Sequence, residues 1–213
     1  MSVTCQVKNY KALRKQIEDM KKAPRKVLTA VTADAKKRVP GWVATEVSKV
    51  YGVKKGEITG KKIGTVQTKG NSIEEVKIIY KGRLLTPARF GMTPKVPGKN
   101  AYTLKAQIIR GQKKTLGKVK KMTKKQRASL QKGSRNSPQS PWMLQRTGAN
   151  SDDKIQYIPF QRREQPGKMK YAMKTLSLPQ MVSSERTEKG IQTAINDGLG
   201  KRLDHHMKRY MGK

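Results

Sequence analysis

Few residues in this chain have the types and spacing that chemistry requires, and most of those fail on geometry. Asp204, His205 and His206 are consecutive near the end of the sequence. Successive residues on a helix diverge by about 100°, so the two imidazoles cannot converge on one metal ion. A simpler reading is that they are surface residues near a helix C-terminus, where the dipole favours cationic groups. Asp152 and Asp153 are a paired carboxylate. A metal-dependent nuclease needs further acidic groups gathered with them, and none stands nearby at a loop edge. No Gly-rich phosphate loop of the P-loop or dinucleotide type is present. No enzyme activity, cofactor or metal is expected.

The remaining chemistry is charge. From Val76 to Ser151 there is no Asp or Glu, yet the stretch carries nineteen Lys and Arg. A surface of one sign repels itself unless something anionic lies against it. The whole chain shows the same bias, with 49 Lys and Arg against 14 Asp and Glu, a formal net charge of +35 and a pI near 10.5. That balance points to nucleic acid. The candidate contacts are Lys113, Lys114, Lys118, Lys120, Lys121, Lys124, Lys125, Arg127, Lys132 and Arg135. Most are lysines, which act as mobile point charges rather than as bidentate readers of base edges. No aromatic lies between Tyr102 and Trp142, so no platform for stacking unpaired bases is offered. The expected partner is therefore duplex DNA or structured RNA held by its phosphates. A membrane surface fits less well, because basic membrane helices need an apolar face beside the charges. Between Lys118 and Lys132 only Val119, Met122, Ala128 and Leu130 are available.

Composition limits the architecture that can position these charges. Hydrophobic residues make up 34% and aromatics 5% of 213 residues, a lean core for one large domain. A single cysteine, Cys5, excludes an internal disulfide and suits a reducing cytoplasm. The N-terminal residues lack an apolar signal region, and no apolar run is long enough to span a bilayer.

Hydrophobic periodicity predicts an α+β fold. Leu13, Ile17 and Met20 mark a first helix from about Asn9 to Met20, and Val27, Leu28, Val31 and Ala35 mark a second beginning at Pro24. Pro40-Gly41 is expected to stop it. A third helix is expected through Val43, Val47 and Tyr51, closed by Gly52. From Ile63 the period falls to two. Strands are predicted over Val76–Tyr80, Tyr102–Ile109, Ile155–Phe160 and Met169–Lys174. Gly111-Gln112 is a candidate hairpin turn. Connections this short imply an antiparallel sheet. A long closing helix from about Ser184 to Tyr210 carries Ile191, Ile195, Leu199, Leu203, Met207 and Tyr210 on one stripe, packed on the sheet. Gly198 and Gly200 weaken it by about 1 kcal/mol each; a close-packed neighbour or a kink is the expected reason. Residues 1–213 are read as one domain, with 112–141 a lysine-rich loop or hairpin arm too poor in apolar residues to join the core.

Three stretches resemble the minor tail protein Z, or tail completion protein, family of long-tailed bacteriophages. They are YKALRKQIEDMKKAPRKVLTAVTADAKKRVP with the following VYGVKKGEI, then KGRLLTPARFGMTP, and finally TLSLPQMV leading into the helix that ends KRLDHHMKRYM. Gly82, Arg83, Leu85, Phe90 and Gly91 are similar to the family's central motif. KMKYAMK stands where relatives carry an Arg-x-Pro-Ile step, and the lysine segment after Gly117 is enlarged. The resemblance implies a virion protein of the tail or neck, made in the host cytoplasm and acting late in tail assembly. It implies a homo-oligomeric ring of six at the head–tail junction, beside the tail terminator, the tail tube and the head–tail connector proteins. The double-stranded genome end would lie close by. Two other classes share the charge pattern. One is a ribosomal or nucleoid-type RNA- or DNA-binding protein; the other is a module for an acidic protein surface.

Overall fold

Val27, Val31, Ala35, Val39, Val43 and Val47 recur every four residues, and all six are buried. This stripe carries one helix, α1 (Pro24–Val50), through Pro40 without interruption. The expected stop at Pro40-Gly41 and the separate third helix are therefore corrected. A proline inside a helix loses one backbone hydrogen bond and crowds the preceding turn, at about 3 kcal/mol. Here buried apolar residues continue on both sides of Pro40, from Val27 to Val39 before it and at Val43, Ala44 and Val47 after it, so breaking the helix would expose one of the two groups. Packing outweighs the local penalty.

The structure is a computed structural model, and it describes residues 2–6, 24–96, 100–119, 142–145, 157–162 and 170–211. The helix expected over Asn9 to Met20 lies outside the described residues. The chain divides into two compact units. The first comprises Met1–Val50, Lys54–Arg83 and Leu176–Lys213, and the second Tyr51–Val53 and Leu84–Thr175.

In the first unit, β1 (Ser2–Gln6), β2 (Thr65–Lys69) and β3 (Lys77–Lys81) form an antiparallel sheet in the order β1-β3-β2. β1 and β2 were not expected from the sequence. Alternation along β3 turns Ile78 and Tyr80 inward and leaves Lys77 and Lys81 exposed. A short helix, α2 (Lys55–Thr59), buries Ile58. The first of the C-terminal helices packs on this sheet, whereas the long last helix, expected there, packs on α1. α3 (Leu178–Val182) lies against β3 and β1, burying Leu178, Pro179, Met181 and Val182. Its start is secured by a capping box: Ser177 Oγ accepts from Gln180 N–H, and Gln180 Oε1 accepts from Ser177 N–H at 2.8 Å.

The last helix, α4 (Glu185–Met211), lies against α1 along its length. Ile191, Ile195, Leu199 and Leu203 are buried as expected. The stripe then turns to His206, while Met207 is only half-buried and Tyr210 is exposed. Four residues advance a helix by about 40° more than one turn, so a run of i+4 steps drifts off the contact face until an i+3 step restores it. Gly198 has the close-packed neighbour. The Trp42 ring on α1 lies over it, 2.5–2.7 Å from where a Cβ would be, whereas a Cβ at Gly200 would meet nothing within 4 Å.

In the second unit, β4 (Tyr102–Ile109) and β5 (Gln112–Val119) form a hairpin. Its turn is Arg110-Gly111, one residue before the expected position, with Gly111 at φ +84°. Part of the stretch read as loop or arm, 112–119, is thus a strand. β6 (Trp142–Gln145), β7 (Tyr157–Arg162) and β8 (Lys170–Ala172) form a second antiparallel sheet in sequence order. A 3₁₀ turn, Pro87–Phe90, closed by left-handed Gly91, contacts both β4 and β7 and buries Phe90. The stretch from Leu84 to Pro94 therefore supplies part of this unit's core.

Candidate nucleic-acid interface

The hairpin has two unlike faces because its residues alternate. Tyr102, Leu104 and Ala106 pair with Val119, Gly117 and Lys114. Leu104, Ala106 and Val119 on this side are buried. The other side pairs Thr103 with Lys118 and Lys105 with Thr115, and Lys105, Thr115 and Lys118 are exposed. Between the two registers Leu116 has no cross-strand partner, a bulge that keeps both sets in phase. Lys113, two residues from Thr115, extends the basic side, and Arg110 adds a charge at the tip; both are exposed.

β4 is held from its other edge. Thr93 and Lys105 exchange backbone hydrogen bonds of 2.8 and 3.0 Å, and Gly52 N–H donates to Ile108 C=O at 3.0 Å. Among the described residues β5 is the outer strand, and its lysines discourage edge-to-edge pairing with another sheet. The ammonium groups thus stand on a rigid, anchored strand pair. In the whole of 84–175 the only acids are Asp152, Asp153 and Glu164, so the described residues of the second unit contain no carboxylate side chain at all. The arrangement offers several cations and two hydroxyls to an extended anion, and nothing that selects a base.

Of the candidate residues, Lys113, Lys114 and Lys118 are brought together on β5 and exposed, with Lys114 on the opposite side from the other two. Lys120, Lys121, Lys124, Lys125, Arg127, Lys132 and Arg135 lie outside the described residues. Lys105 and Arg110 were missed as site residues. Their signal was the alternation of β4, which puts Lys105 outside whenever Leu104 and Ala106 are inside.

A second polar cluster joins α1 to α4. Asp34 Oδ2 accepts from Arg202 Nε at 2.5 Å and from His206 Nε2 at 2.8 Å, and Oδ1 accepts from Arg38 Nε at 3.1 Å. His206 is buried, which corrects its reading as a surface residue. The sequence could not show this, since Asp34 is 172 residues away. His205 is exposed, and the two rings meet edge-on with centroids 5.3 Å apart. Burial pushes the Asp34 carboxyl up, but the hydrogen bonds from His206, Arg202 and Arg38, with the Arg202 charge, outweigh it and hold the group well below its ordinary value of 3.8. A lowered folded-state pKa means that stability from this cluster is fully present above 3.8 and is lost as pH falls below it. Urea midpoints measured from pH 6 down to pH 2 are expected to show this loss, and Asp34→Asn is expected to make that acid limb shallower. Equal acid slopes in both proteins would deny Asp34 the role. Two guanidinium groups and one imidazole on a single carboxylate tie α1 to α4 as a structural clamp.

Among the described residues, no group of three His, Cys, Asp or Glu side chains could hold a metal ion, and no helix is long and apolar enough to cross a membrane. Compared with protein-family models, with curated proteins and with solved structures, the chain matches none.

Proposed function

We propose that this chain is a structural virion protein of a long-tailed bacteriophage that completes the tail at the head–tail junction as a ring of six. In this reading its basic hairpin touches the phosphates of the double-stranded genome end. The observation that carries the nucleic-acid contact is the anchored β4–β5 strand pair, with Lys105, Lys113 and Lys118 exposed on one side of a unit whose described residues include no acid. The placement in a tail rests on the resemblance of the three sequence stretches. A ring of six subunits at +35 each repels itself unless an anion fills it, and a duplex carries one negative charge per about 1.7 Å of axis.

The test is binding of the full chain to a labelled duplex of about 30 base pairs over a salt series. Affinity is expected to ignore sequence and to fall steeply with salt. Lys113→Gln/Lys114→Gln/Lys118→Gln is expected to flatten the log–log slope by about 0.9 for each phosphate that is no longer neutralised, with an unchanged melting temperature. An unchanged slope would remove the hairpin from the interface with DNA. A neck reconstruction with these lysines on an outer rim against acidic protein would replace DNA by that partner.

A further inference from the structure

The sheet of the first unit has a solvent side of its own, and its register is unusual. Lys69 on β2 pairs directly with Lys77 on β3, and Thr65 pairs with Lys81. Between them Gln67 pairs with Ile79. Lys69, Lys77, Lys81, Thr65 and Gln67 are exposed, and Ile79 is half-buried. The matching register positions on β1 are Ser2, Thr4 and Gln6, so no acid occurs on this side in any of the three strands. Directly opposed residues sit about 4.5–5.5 Å apart at Cα, and like charges so placed destabilise a sheet. Among the described residues none of the three lysines is in an ion pair that would offset the repulsion. The neighbouring Glu75 is in the turn before β3, where its carboxylate accepts from Asn71 N–H at 3.2 Å.

A local choice that costs stability, with no compensating ion pair among the described residues, marks a functional site more often than a structural one. We infer that this sheet side, centred on Lys69, Lys77 and Lys81, is a second contact for the phosphodiester backbone of duplex nucleic acid, separate from the hairpin. The inference rests on the nucleic-acid reading proposed above. Charge complementarity selects the occupant. Lys77 and Lys81 stand about 13 Å apart along the strand, a spacing suited to an extended polyanion rather than a single anion. The one apolar residue, Ile79, is too little for a membrane-inserting face or for the apolar centre of a protein interface.

The test uses the full chain and two variants, Lys69→Gln/Lys77→Gln/Lys81→Gln and Lys69→Glu. With the same duplex, the triple variant is expected to bind more weakly and to flatten the salt slope by up to about 2.7, that is, about 0.9 per phosphate neutralised. Its effect should add to that of the hairpin variant. Lys69→Glu is expected to raise the melting temperature, by turning a cross-strand repulsion into an attraction, while weakening duplex binding. A merely structural role would not move affinity and stability in opposite directions. If the hairpin variant flattens the slope and the triple variant does not, this second contact is wrong and the hairpin reading stands. If the wild-type chain shows no salt-dependent duplex binding, the nucleic-acid reading itself falls. If the triple variant keeps duplex affinity but no longer binds poly-glutamate, the face belongs to an acidic protein and the inference is overturned.

Discussion

Leu203→Asp is expected to destabilise the folded chain by about 4–5 kcal/mol, as read from the urea midpoint at pH 7. Leu203 is 1% exposed on α4. The Asp34 bonds to Arg202 and His206 place its turn beside the Val31–Ala35 turn of α1, and Val31 and Ala35 are also buried. Two effects add. Removing the isobutyl group loses its transfer free energy and leaves a cavity, about 2–5 kcal/mol in total for a leucine truncated to alanine. The new carboxylate must also enter an apolar contact with no donor waiting for it. Arg202 and Arg38 are already bound to Asp34. Since domains of ordinary stability have only about 5–15 kcal/mol to lose, the variant should be largely insoluble or should melt far below the wild type. Leu203→Ala separates the two effects, being expected to lose the cavity term alone. A soluble Leu203→Asp protein with the wild-type midpoint would mean that α4 does not pack on α1 through this stripe.

The second large effect is expected at Gly52. A Cβ at this position would lie 1.9 Å from the carbonyl oxygen of Gln107 and 3.1 Å from its carbon. Side-chain ends can rotate away from such a clash, but a strand carbonyl cannot without moving the strand. Gly52→Ala is therefore expected to cost about 3 kcal/mol, the upper end of ordinary overpacking. It should also break the hydrogen bond from Gly52 N–H to Ile108 C=O. Faster amide exchange at Gly52, with a lower melting temperature, would report the broken bond. Gly41→Ala provides the contrast. Gly41 lies inside α1 with nothing within 4 Å of a Cβ, so alanine there is expected to gain up to about 1 kcal/mol. Equal effects from the two substitutions would count against a steric role for Gly52.

Gly52 also shows how far reading the chain could go. Its position was legible as a helix end, and α1 does finish at Val50. The physical reason was different: its φ is outside the left-handed region, and what requires glycine is the approach of β4. Pro40 went the other way, because a local stop signal was overridden by the burial of apolar residues on both sides of it, which only tertiary packing supplies.

What the sequence by itself determined was periodic or compositional. The alternation of Tyr102–Ile109, the buried run Ile191 to Leu203, the switch of period near Ile63 and the absence of acids from Val76 to Ser151 each follow from residues close together in the chain. Such patterns survive without tertiary context because each one states which side of an element avoids water. Only the tertiary structure decided the rest. β1 and β2 are polar strands whose identity depends on pairing with β3. The Asp34–His206 tie joins helices distant in sequence. The Lys69–Lys77 opposition exists only once a register is chosen. These features arise from pairing across the chain, where free energy depends on which surfaces meet, and no local propensity carries that information.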